Sequence, residues 1–76
     1  MILQYITDHV THWTVMEIEI YLDKKKKYME TRSPVDLVEL KEAYDNLYTS
    51  LKHEEHGKRI TSAKKEEFLD FLQEGL

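Results

Sequence analysis

The chain has no cysteine, one proline and two glycines in 76 residues, and it lacks any long apolar run. Without cysteine there is no disulfide, no thiolate chemistry and no Cys-ligated zinc, which fits a reducing compartment and an expected cytoplasmic location. No stretch approaches the roughly 18 uninterrupted apolar residues of a membrane span. Met1 to His9 has neither a basic flank before an apolar run nor a small-residue cleavage site, so no signal peptide is expected. A phosphate-cradling glycine loop, a Gly-x-Ser-x-Gly elbow and a recognisable acid/base pair are all missing, so neither an enzyme nor a cofactor is expected. Positive charge is in deficit too: the net charge of −4 argues against general affinity for nucleic acid or anionic membrane.

The scarce proline and glycines punctuate what is there. Ser33-Pro34-Val35-Asp36 offers an N-cap serine, proline at the first helical position and an acid in the first turn. From there Leu37, Leu40, Tyr44, Leu47, Tyr48 and Leu51 keep the 3, 4, 7 spacing of one helical stripe, and Gly57 supplies a stop. A last helix follows an N-cap at Thr61 or Ser62, with Phe68, Leu69, Phe71, Leu72 and Leu76 on one side and Glu66, Asp70 and Glu74 on the other, and ends at Gly75.

The segment Trp13 to Leu22 is ambiguous. Met16, Ile18, Ile20 and Leu22 alternate with Glu17, Glu19, Tyr21 and Asp23, so an α+β alternative with residues 14–22 as a strand fits the two-residue period. A lone strand would leave its amides and carbonyls unpaired, however, and Asp23 to Arg32 has no Gly, Asn or Pro for a hairpin turn and little β-forming character. Read as helix, Ile2, Leu3, Ile6, Val10, Trp13, Ile20, Tyr21 and Tyr28 form a stripe to pack inside the molecule. Val15, Ile18, Leu22 and Met29 form a second stripe that asks for another surface. The expected fold is all-α, a single domain over residues 1–76. Helices at about 2–31 and about 34–56 form an antiparallel hairpin, and a short third helix spans about 62–74.

Several motifs invite sharper readings. The histidines come in pairs, His9 with His12 and His53 with His56, each pair three residues apart and equidistant from the expected turn, the spacing of a four-nitrogen metal site. His53 and His56 share a side with Val35 and Val38, away from the stripe that should meet the first helix, so no metal site is expected. His53-Glu54-Glu55-His56 is also one residue short of the metalloprotease H-E-x-x-H pattern. The run Lys24-Lys25-Lys26-Lys27, or a helix-turn-helix around Gly57 with Lys58, Arg59, Lys64 and Lys65 at its second helix, supports the alternative of a nucleic-acid-binding regulator. Against it, Glu66, Glu67, Asp70 and Glu74 carry the wrong sign for phosphate. That acidic ridge, Glu66, Asp70 and Glu74, is instead a candidate for occupying a basic groove on another protein, though solvation alone accounts for it.

The surplus of apolar side chains then carries the functional expectation. It is a small non-enzymatic interaction module that self-associates as a homodimer or docks as an inhibitor or regulator on a larger protein, with no small-molecule substrate, nucleic acid or membrane as partner. The expected partner-binding residues are Trp13, Val15, Met16, Ile18, Ile20, Tyr21, Leu22 and Met29, with Trp and Tyr as anchors. By analogy, a small chain without catalytic equipment suits a product of a phage or mobile element.

Overall fold

The computed structural model describes residues 6–74, and of Glu74 only the backbone. The helices α1 (His12–Thr31), α2 (Pro34–His56) and α3 (Ser62–Glu74) account for most of them, with no strand among the described residues. The turn between α1 and α2 is built as its sequence dictates. Arg32 takes the left-handed conformation (φ 56°, ψ 19°) and donates its N–H to Tyr28 O at 2.7 Å, closing α1, while its guanidinium lies 5.5 Å over the Tyr28 ring. Ser33 Oγ accepts the Val35 N–H at 3.3 Å, Pro34 opens α2, and the Asp36 carboxylate accepts the Thr31 hydroxyl and faces Lys27 Nζ at 3.7 Å. The chain therefore reverses within two residues, and α1 and α2 lie antiparallel as a hairpin. The 23 residues of α2 amount to about 35 Å at 1.5 Å each, which sets the 37 Å long axis.

The first helix departs from expectation. The expected run over about 2–31 is interrupted: Ile6 and Thr7 are helical, the chain then turns over Asp8 to Thr11, and α1 starts at His12, with His9 N–H donating to Ile6 O at 3.0 Å and Thr11 N–H leaving the local backbone for Glu54 Oε2 at 2.6 Å. Ile6, helical ahead of the turn, is buried, and Val10 packs against the core from the turn itself, both outside the continuous helix of α1. Ile2 and Leu3 lie outside the described residues. The inner stripe is phased partly by residues that precede the helix, and with the break Trp13 and Ile20 turn outward and Ile18 and Leu22 inward, while Tyr21 stays inside and Met29 outside as expected. Thr14, Ile18, Tyr21 and Lys25 are buried with Leu22 packed beside them, while Trp13, Met16 and Ile20 face out. The two-residue alternation was the overlay of two apolar helical faces, not a strand.

The core joins Ile18 and Tyr21 of α1 to Ala43, Leu47 and Leu51 of α2 and to Phe68, Leu69 and Leu72 of α3, with Ile60 contributed by the connection. Leu40, Tyr44 and Phe71 pack around it. Gly57 ends α2 with φ −78°, so the left-handed residue is its neighbour Lys58 at φ 61°, not the glycine itself. Thr61 caps α3, its Oγ1 accepting the Lys64 N–H at 3.1 Å. Polar ties then fix α3 along one side of the hairpin. Gln73 Nε2 donates to the Tyr44 hydroxyl at 2.7 Å, Lys65 Nζ reaches Glu55 Oε1 at 2.9 Å, and the Ser62 hydroxyl donates to the same carboxylate.

Candidate functional site

Leaving α1 at 100° per residue, Trp13, Met16 and Ile20 point away from Ile18 and the core. They are 68 %, 45 % and 43 % exposed, whereas Ile18 is 0 %. Three large apolar side chains within two turns make a contiguous face, unlike isolated exposed residues, which need no explanation. Its setting is acidic: Glu19 and Asp23 border a shallow depression with Met16 and Ile20. Met29 is also exposed but lies near the hairpin turn, nine residues beyond Ile20, and Val35 and Val38 project from the outer side of α2.

The expected partner-binding set therefore divides. Trp13, Met16, Ile20 and Met29 are on the surface, and Val15 and Leu22 are half-buried. Ile18 and Tyr21 are core residues, the latter with its ring centroid 5.9 Å from that of Tyr44, and their place in the partner surface is withdrawn. Burial, with a smaller effect from Tyr44, pushes the Tyr21 hydroxyl above its ordinary range.

The basic features are largely consumed within the fold. Lys24 Nζ pairs with Glu39 Oε1 at 2.7 Å, and that hydrogen bond holds the ammonium above its ordinary range. Lys27 faces Asp36. Lys25 is buried and donates to Leu72 O at 2.8 Å and Gln73 O at 2.5 Å, so it caps the carbonyl end of α3, where the helix dipole favours a cation. Within the run Lys24 to Lys27, only Lys26 extends outward without an ion pair among the described residues. Around Gly57, Arg59 sits 3.6 Å from Glu54, Lys64 3.5 Å from Glu67, and Lys65 lies on Glu55 and 5.5 Å over the Tyr48 ring.

The histidines do not converge. His9, His12, His53 and His56 are all exposed, His9 with its ring 6.5 Å from Phe68, and His53 at the edge of the cleft beside Trp13. Among the described residues no three His, Asp or Glu side chains gather around one point. Glu66 and Asp70 are exposed on α3 as expected, while the Glu74 side chain lies outside the described residues.

Sequence reasoning missed the α2 side of this face. Ala43, Asn46 and Ser50, at spacings of three and four, are small, so they leave depressions of about 280 Å³ beside Ile20 and about 140 Å³ beside Trp13. A run of small residues along one side of an otherwise leucine-rich helix was the available signal. No helix among the described residues is long and apolar enough to cross a membrane. Comparison with family models, with curated proteins and with solved structures finds no match.

Proposed function

We propose that this chain is a small non-enzymatic interaction module that acts by docking the outward face of α1 on a second protein chain. The observation that carries the reading is Trp13, two-thirds exposed beside Met16 and Ile20 on a helix whose opposite side is fully used by the core. Full burial of a large apolar side chain contributes about 1.5 to 3 kcal/mol, and these three retain much of that gain for association. Tryptophan is also the residue type most often found to dominate an interface. Steric or allosteric inhibition or regulation needs no more than such a face. The nucleic-acid alternative draws little from a lysine run whose members are paired or buried, apart from Lys26.

A photocrosslinking residue placed at Met16, and for comparison at the exposed Asp45 on α2, tests the reading in expressing cells. The expected outcome is a discrete crosslinked protein species from position 16 and none from position 45. Equal labelling from both, or none from position 16, overturns it.

A further inference from the structure

The hairpin has two long grooves between α1 and α2, and α3 fills one of them. Tyr44 and Tyr48 of α2 touch α3 through Gln73 and Lys65. Asn46 stands two residues from each of them, about 200° around the helix, and so faces the other groove. Trp13, Ile20 and Lys24 form the α1 wall of that groove; Glu39, Glu42 and His53 line the α2 side, over the buried small residues Ala43 and Ser50. Trp13 to Lys24 covers about 16 Å at 1.5 Å per residue, the length of a helix of about 11 residues. The hairpin already accepts a helix of similar size on its other side, the 13 residues of α3.

The charges of the open groove select its occupant. Lys24 and Glu39 neutralise one another at 2.7 Å. Glu42, and Glu17 on the same wall as Trp13 and Ile20, have no cation within ion-pair distance among the described residues. A groove with Trp13 and Ile20 on one wall and uncompensated carboxylates at its edges is complementary to an amphipathic helix with lysine or arginine on its flanks. It repels anionic lipid and nucleic acid. It also opposes a second copy, since an antiparallel self-contact centred on Ile20 sets Glu17 of one copy against Asp23 of the next.

Resting on the interaction reading above, we infer that this groove binds a basic amphipathic helix of a different protein, its apolar edge on Trp13 and Ile20 and its cationic flanks on Glu17 and Glu42. The chain's only tryptophan is then a built-in reporter. The probe is a tryptophan-free 14-residue peptide, helix-forming, with leucine and alanine on one edge and lysine on both flanks; its counterpart carries glutamate for lysine. The lysine peptide is expected to shift Trp13 emission saturably to the blue, at least tenfold more tightly than the glutamate peptide and more weakly as salt rises. Glu17→Lys and Glu42→Lys are expected to weaken it tenfold or more with the helical circular dichroism unchanged, and Glu42→Gln to act in the same direction should the lysine variants fold poorly. Equal affinity for both peptides overturns the charge assignment while leaving an interaction face. If neither peptide binds and light scattering shows a dimer that Trp13→Ala dissolves, the occupant is a second copy and the inference is overturned, though the module reading survives. No binding of either peptide by a monomer, with no crosslink from position 16, removes both.

Discussion

Glu54 Oε2 accepts the Thr11 backbone N–H at 2.6 Å, joining residues 43 apart in sequence and capping α1 from the last turn of α2. Thr11 stands at the N-cap but makes no capping bond with its own side chain, so the exposed amides and positive dipole end of α1 meet a buried carboxylate instead. Arg59, 3.6 Å from the other oxygen, ties the same carboxylate to the connection that leads to α3. One side chain therefore holds the start of α1, the end of α2 and the following turn in register. Glu54→Ala is expected to cost about 1 to 3 kcal/mol, since it orphans a half-buried donor and opens a small gap. Glu54→Gln keeps an acceptor and should lose about half as much. Urea unfolding checks both, and an unchanged midpoint for Glu54→Ala would contradict the capping role.

Lys25 does the corresponding work at the other end of the molecule. Burial pushes its ammonium below the ordinary lysine range, while the Leu72 and Gln73 carbonyls and the negative end of α3 favour the charged form. Lys25→Met keeps the aliphatic packing beside Tyr21 and removes the cap, with an expected loss of about 1 to 2 kcal/mol. The loss should be local: amide exchange of residues 68–72 accelerates more than that of Leu47 or Leu51. Uniform acceleration across all three helices would instead mark Lys25 as an ordinary core contact.

Acid should loosen α3 first. The Glu55 carboxyl is held below its usual range chiefly by the Ser62 hydroxyl, then by Lys65, and a carboxyl depressed in the folded state stabilises only while ionised. Its contribution is fully present above the unfolded value of about 4.3 and disappears as the pH falls through the lower folded value. A pH titration followed at Tyr48 and Phe68 by NMR should show α3 contacts weakening below about pH 4. In Glu55→Gln that acid-dependent step should vanish, and its persistence would assign the step to another carboxylate.

At the α2–α3 connection, Lys58 occupies the left-handed region at φ 61°, where a Cβ is strained and glycine is not. Lys58→Gly is expected to raise stability by about 0.5 to 1 kcal/mol, the gain from removing that strain less the added freedom of the unfolded chain. Arg32→Gly, at φ 56°, should gain less because it also removes the guanidinium over the Tyr28 ring. Thermal unfolding ranks the two, and a destabilised Lys58→Gly protein would show that the lysine side chain matters more than its backbone.

Much of the fold was legible because its signals are local. Ser33, Pro34 and Asp36 specify a turn and a helix start with their own atoms, and Thr61 caps α3 within three residues. The roles of Glu54 and Lys25 were not legible, because each is defined by a backbone group more than 40 residues away. The exposed apolar face of α1 was half legible. Trp13, Met16 and Ile20 were named, but Trp13 and Ile20 were assigned inward, since Ile6 and Val10 keep helical spacing with α1 while reaching the core from ahead of it. Periodicity carries phase only as far as the helix is continuous.

That exchange of faces has a direct energetic test. Ile18 is fully enclosed among all three helices, so Ile18→Ala should cost about 2 to 5 kcal/mol by leaving a cavity that neighbours fill poorly. Trp13→Ala removes a larger side chain, yet with two-thirds of it already in water the change should stay within about 1 kcal/mol. Met16→Ala and Ile20→Ala should behave like Trp13→Ala, and Tyr21→Ala like Ile18→Ala. Association should follow the opposite order, sensitive to Trp13 and Ile20 at constant stability. The comparison needs both measurements on the same variants, because a loss of binding by Ile18→Ala reports unfolding, while the same loss by Trp13→Ala reports the face itself. If Trp13→Ala proved as destabilising as Ile18→Ala, Trp13 would belong to the core and the outward face of α1 would lose its anchor.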